Sequence, residues 1–82
     1  MSAVAFQQAQ DSHQARVQLL LAIAAAGGCR LAVSDPCPIL RGESDYSLEF
    51  VDVMLSPGEK PPAGRAWTIY ELHADGWRGR SA

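Results

Sequence analysis

The sequence predicts an α+β fold, one N-terminal helix packed on a three- to four-stranded antiparallel sheet, in a single domain covering residues 1–82. Three observations predict it. The stretch from Ser2 to Ala26 contains neither Gly nor Pro and is rich in Ala, Gln and Leu, all compatible with helix. Two later segments, Tyr46–Leu55 and Ala66–Ala74, alternate apolar with polar residues and are rich in aromatic and β-branched side chains. Strands follow the helix without an alternating strand–helix–strand pattern, which argues for α+β over a parallel doubly wound sheet.

Within the first stretch, Phe6, Ala9, His13, Val17, Leu20 and Ala24 recur at spacings of three and four and form one helical face. Leu19, Leu21 and Ile23 widen that face, so the second half of the helix is expected to be apolar most of the way round and deeply buried. Gly27-Gly28 is a stop, because Gly takes the left-handed conformation at little cost. Two starts are compatible with the sequence. Ser2 can cap one long helix, whereas Asp11 with Gln14 three residues on forms a capping-box-like pair that would open a shorter helix at about residue 12.

Arg30–Val33 is a short strand candidate, followed by Ser34-Asp35-Pro36-Cys37-Pro38, where two prolines oppose regular pairing. Ile39–Asp45 reads as loop. In Tyr46–Leu55, Tyr46, Leu48 and Phe50 share one face, and then the apolar phase shifts to Val51, Val53 and Leu55. A bulge near Phe50–Val51 would produce that shift, as would a strand end covered on both faces. Ser56–Gly64 is an irregular, Pro- and Gly-rich loop. Asp75-Gly76 suits a two-residue hairpin turn, which pairs Leu72 with Gly79 and Glu71 with Arg80.

The formal charge is −2, which disfavours direct nucleic-acid binding, since such domains carry a basic excess. For that reason Trp67, Tyr70, Trp77, Arg78 and Arg80 are read as packing aromatics beside solvated arginines, not as a base-stacking platform. The apolar run Leu19–Ala26 is far shorter than the ~20 residues needed to span a bilayer. Ala25-Ala26-Gly27-Gly28-Cys29 resembles the segment before a lipidated cysteine. A signal peptide, however, needs a basic region directly ahead of its apolar stretch, and Arg16 is the only base before it. A cytoplasmic protein with reduced Cys29 and Cys37 is the expectation. Metal is not expected, because only His13 and His73 could join the cysteines, at no ligating spacing. No cofactor is expected either: phosphate loop, Gly-x-Ser-x-Gly elbow and His-Glu-x-x-His pattern are all missing. Cys37 with His73 is the one conceivable nucleophile and base, and the reading is that the chain is not an enzyme.

Charge is unevenly distributed. Residues 42–59 carry Glu43, Asp45, Glu49, Asp52 and Glu59 with no base, while the flanking segments are net positive. Glu43, Asp45, Glu49 and Asp52 therefore form a candidate partner-binding face, suited to a cationic surface and to electrostatic steering. In overall type, short, mildly acidic, α+β and without a catalytic set, the chain resembles anti-CRISPR proteins. That resemblance implies a non-enzymatic inhibitor whose partner is a protein or nucleoprotein complex, with its nucleic-acid-binding surface as the target. The alternative is a small partner-binding subunit, such as an antitoxin or a phage assembly factor, acting through its helix or a sheet edge; a homodimer fits this reading.

Overall fold

The computed structural model describes residues 3–40 and 46–82. Helix α1 spans Ala3–Gly27 and is followed by β1 (Arg30–Ser34), β2 (Cys37–Leu40), β3 (Tyr46–Glu49), β4 (Asp52–Leu55), β5 (Trp67–His73) and β6 (Gly76–Ser81). Strands pair in the order β4-β1-β5-β6, all antiparallel, and β2 pairs with β3 in a separate two-stranded ribbon. The fold is thus α+β, an N-terminal helix against a four-stranded antiparallel sheet. Among the described residues no helix is long and apolar enough to cross a membrane.

The helix takes the longer of the two forms the sequence allows. It ends in a Schellman motif, in which the Cys29 amide donates to Ala24 O at 2.9 Å and the Gly28 amide to Ala25 O at 3.4 Å. Gly28 sits at φ 69°, the left-handed position that makes this reversal cheap. A helix of this length runs about 37 Å, roughly twice the reach of the strands below it. Its apolar anchoring is therefore confined to the C-terminal half, with Val17, Leu21 and Ala24 buried.

Strand register assigns the two faces of the sheet. Leu31 and Val33 of β1, Met54 of β4, Tyr70 of β5 and Trp77 of β6 lie on the helix side around Val17 and Leu21. Ala32, Leu55, Trp67 and Ile69 form a second buried cluster on the opposite side, with Val51 and Val53 against it. The segment between β4 and β5 is tied to that side by its carbonyls: Trp67 Nε1 donates to Pro62 O at 2.9 Å, and Arg30 donates to Ser56 O and Glu59 O. Both faces of β1 are covered, so it is buried with little alternation.

Four expectations need correction. The single strand Tyr46–Leu55 is two strands in two sheets, and the change of apolar phase marks the crossing from β3 to β4, not a bulge within one ladder. Buried Ser34 fixes the crossing: its amide donates to Val51 O at 2.9 Å, and the Val51 amide donates to its Oγ at 3.1 Å. Residues 37–40, expected as a Pro-broken stretch and loop, form β2, with Pro38 opposite Leu48. A two-stranded ribbon tolerates this because alternate residues point their amides away from the partner strand. The rest of that expected loop lies outside the described residues.

The hairpin turns one residue earlier than Asp75-Gly76 suggests. His73 faces Gly76, so Ala74 and Asp75 are the corner and Glu71 lies opposite Arg78, not Arg80. A turn centred on Asp75-Gly76 with left-handed residues at both positions would force Asp75 to positive φ; here Gly76 alone takes it, at 121°. The shift also puts Gly79 across from Tyr70 instead of Leu72. Finally, the apolar second half of α1 is not enclosed, because Leu19 and Ile23 remain 63% and 53% exposed.

Gly79 makes room for the Tyr70 ring, since a Cβ there would lie 2.9 Å from Tyr70 Cε1 and 3.2 Å from Thr68 Cγ2. Gly79→Ala is expected to cost about 1–3 kcal/mol of stability in urea denaturation; unchanged stability would contradict this packing. At the turn, the Arg78 guanidinium, 2.9 Å from Asp75 Oδ2, holds the Asp75 carboxyl below its ordinary value of 3.8, helped by a backbone hydrogen bond. A depressed carboxyl stabilises the fold above its unfolded pKa and loses that contribution as pH falls through the folded value. Carbon-detected NMR titration should show Asp75 moving back towards 3.8 in Arg78→Ala; an identical titration curve in the variant would refute the pairing.

Candidate functional site

The acidic stretch does not present one face. Glu43 and Asp45 lie outside the described residues. Glu49, on the ribbon, is partly exposed and paired with Arg65, whose Nη2 lies 2.9 Å from Glu49 Oε1. Asp52 is opposite Val33 in the β4–β1 ladder, which turns it to the helix side of the sheet and under α1. Its side chain is 1% exposed. A carboxylate so placed is not a docking residue while the helix stays on the sheet.

What holds Asp52 there is His13. Its Nε2 lies 2.9 Å from Asp52 Oδ1, and its ring stacks on Phe50 with centroids 4.1 Å apart and planes 23° off parallel. Arg16, one turn further along the helix, brings Nε to 3.4 Å from Oδ2, near enough for an ion pair but without hydrogen-bond alignment. Oδ2 is accordingly a buried acceptor with no hydrogen bond among the described residues. The junction clamps the helix to edge strand β4 ahead of the apolar contacts made by Val17 and Leu21.

An imidazole oriented by a buried carboxylate is also the arrangement used in general-base catalysis. In that arrangement the carboxylate takes Nδ1 and Nε2 serves as the base, whereas here Asp52 takes Nε2. Cys37 and His73 do not meet either. Ser34, just before the ribbon, pairs with Trp67 at the start of β5, whereas His73 ends that strand, about 20 Å further along. Cys29 is half-buried and Cys37 exposed, and no disulfide joins them. No cluster of three metal-ligating side chains occurs among the described residues.

Two larger recesses, and a small one of about 260 Å³ beside Ser12, His13, Arg16 and Phe50, flank the helix among the described residues. A polar cleft of about 420 Å³ lies where α1 leans over the sheet, lined by Gln7, Gln10, Gln14, Thr68, Tyr70 and Phe50. A larger one of about 640 Å³, at the C-terminal end of the helix, is bordered by Cys29, Arg30, Lys60, Glu71, Leu72 and Arg80. Three cations and the nearby carboxylates Glu59 and Glu71 nearly balance there. Arg30 is spent on loop carbonyls and Glu59 Oε1 accepts the Ser56 amide at 2.9 Å.

The least satisfied surface is none of these recesses. A four-stranded sheet is about 19 Å wide and a helix about 10 Å across. α1 packs on β1 and reaches β4 through His13, so the β5–β6 half of the helix side carries no second helix. Tyr70 and Trp77 are partly buried along that strip, leaning on the Val17–Leu21–Leu31 cluster, and Leu72 is 49% exposed. On the helix itself, Leu19 and Ile23 point away from the sheet, with Ala15, Ala22 and Ala26 around them, all exposed. Within Ala3–Gly27 the only formal charges are Asp11 and Arg16, and Arg16 leans towards Asp52. Surface helices of globular proteins normally show a charged outer face; this one does not.

Of the residues singled out in the sequence, the structure thus brings Asp52 together with His13 and Arg16, and separates it from Glu49. The pairing has a sequence signal: His13 and Asp52 are each a lone polar residue in an otherwise apolar setting, the helical stripe and the run Val51–Leu55. No family model, curated protein or solved structure matches this chain.

Replacing His13 leaves the Asp52 carboxylate buried with only Arg16 beside it. His13→Ala is expected to cost about 1–3 kcal/mol, read as a lower urea midpoint with unchanged slope. A variant as stable as the parent would show that the junction contributes nothing to helix docking.

Proposed function

We propose that this chain acts by binding another protein through α1 and the β5–β6 strip, without catalysis of its own. The observation that supports this most is the outward side of the second half of α1: Leu19 and Ile23 exposed among alanines, with no charged residue from Val17 to Gly27. An apolar helix surface beside an uncovered aromatic strip is the kind of patch that soluble proteins bury against a partner. The non-catalytic half of the reading draws support from the His13–Asp52 pair, in which the carboxylate occupies Nε2, the nitrogen a general base would offer to a nucleophile.

An inhibitor of the anti-CRISPR type is a narrower form of the same proposal and puts the contact elsewhere. It would meet a cationic, nucleic-acid-binding surface with Glu43, Asp45 and Glu49, since Asp52 is engaged by His13. Glu49 remains partly exposed beside Arg65 and is available for such a contact. The two surfaces are separable by substitution. With the immobilised chain as bait in extract from the cells that make it, a retained protein is expected to survive Glu49→Lys and to be lost with Ile23→Glu. The opposite pattern would move the site to the acidic stretch. A bait that retains neither a foreign protein nor the chain itself would refute the binding reading.

A further inference from the structure

The helix and the strip suggest their own occupant. We infer that the partner is a second copy of this chain, in a two-fold dimer where each copy's α1 lies on the uncovered β5–β6 strip of the other. This rests on the protein-binding reading above and names its partner. In such a dimer two sheets sandwich two helices, and each helix meets its own sheet through Val17 and Leu21 and the other copy's sheet through Leu19 and Ile23.

Four observations support a second copy over an unrelated protein. The first is complementarity within one chain: the surface that lacks a helix and the helix that lacks a cover are both present, so a single two-fold operation satisfies both, as closed isologous dimers require. The second is the character of α1 after Arg16, uncharged and apolar but for Gln18, which suits a helix enclosed by two layers and not one exposed to water. The third is chemistry along the side of α1 that faces β5. Gln7, Gln10 and Gln14 line that side, neutral donors and acceptors that can hydrogen-bond a neighbouring helix, and the one helix carboxylate among them, Asp11, accepts from the Gln7 amide at 2.9 Å. The fourth is size. A strip of about 20 by 10 Å under the partner's helix, and an equal length of α1 under the partner's strip, give each copy a flat footprint on the order of 400 Å², to which the side-by-side contact of the two helices adds, within a factor of two of the ~800 Å² per partner of stable interfaces.

The arrangement also assigns Leu72, which packs against nothing that buries it in one copy, and gives Trp77 and Tyr70 a second apolar neighbour. The opposite side of the sheet, closed by the segment between β4 and β5, takes no part.

Light scattering coupled to size exclusion tests this on the full chain. The wild type is expected at twice 8.8 kDa. A helix-side variant, Leu19→Glu with Ile23→Glu, and a strip-side variant, Leu72→Lys, are each expected to run as monomers with the helical circular dichroism of the parent. Mixed in equal amounts they should recover the dimer, because one of the two symmetric contacts is then wild type and the other joins Glu to Lys. A monomeric wild type overturns the second copy, and so does a mixture that stays monomeric when each variant alone has lost the dimer. If the wild type is monomeric but retains a foreign protein that Ile23→Glu loses, the second copy fails and the protein-binding reading stands. If neither occurs, both fail.

Discussion

One helix cannot cover a four-stranded sheet, and most of what is unusual in this molecule follows from that mismatch. The strands are short and the sheet is about twice as wide as the helix above it. The chain meets the shortage on one side with an irregular Pro- and Gly-rich segment whose carbonyls are held by Arg30 and Trp67. On the other side it has only α1, placed over β1 and fastened to β4. The β5–β6 half is left with partly exposed aromatics, and the outer surface of α1 beyond Arg16 is left without charge.

The fastening itself is a polar device in an apolar place. Burying a carboxylate is costly unless it is paired and hydrogen-bonded. Asp52 meets that condition through one oxygen, with His13, and only loosely through the other, with Arg16. The directional bond from His13, with its ring against Phe50, fixes where α1 crosses β4 and so which half of the sheet stays open. The position of the open strip is in this sense set by three residues at the other edge.

Much of the architecture was legible in the chain, and the places where it was not share a cause. The helix stop at Gly28, β1, β5 and the irregular segment after β4 follow from local propensity and turn chemistry, which sequence expresses directly. The errors arise where two distant segments choose each other. Alternation within 46–55 is the same for a bulged strand as for one that leaves a ribbon and joins a sheet; the choice is made by Ser34 bonding Val51. The hairpin register is settled by where Gly must stand, at the positive-φ residue that opens β6 and across from the Tyr70 ring, and not by the dipeptide alone. The acidic run looked like one face because charge was counted along the chain. Pairing divides it, giving Glu49 to Arg65 and Asp52 to His13. The apolar girth of α1 was correctly legible, but burial within a single copy was the wrong consequence to draw from it.

The central claim is that the outer face of α1 and the β5–β6 strip are buried together in one interface. NMR spectra of the full chain recorded over a dilution series test it most directly. The account predicts that signals of Leu19, Ile23, Tyr70, Leu72 and the Trp77 indole shift together with concentration, while Ile69 and Trp67, on the closed side of the sheet, stay fixed. Shifts confined to the Glu49–Arg65 region, or spectra independent of concentration throughout the series, would contradict it.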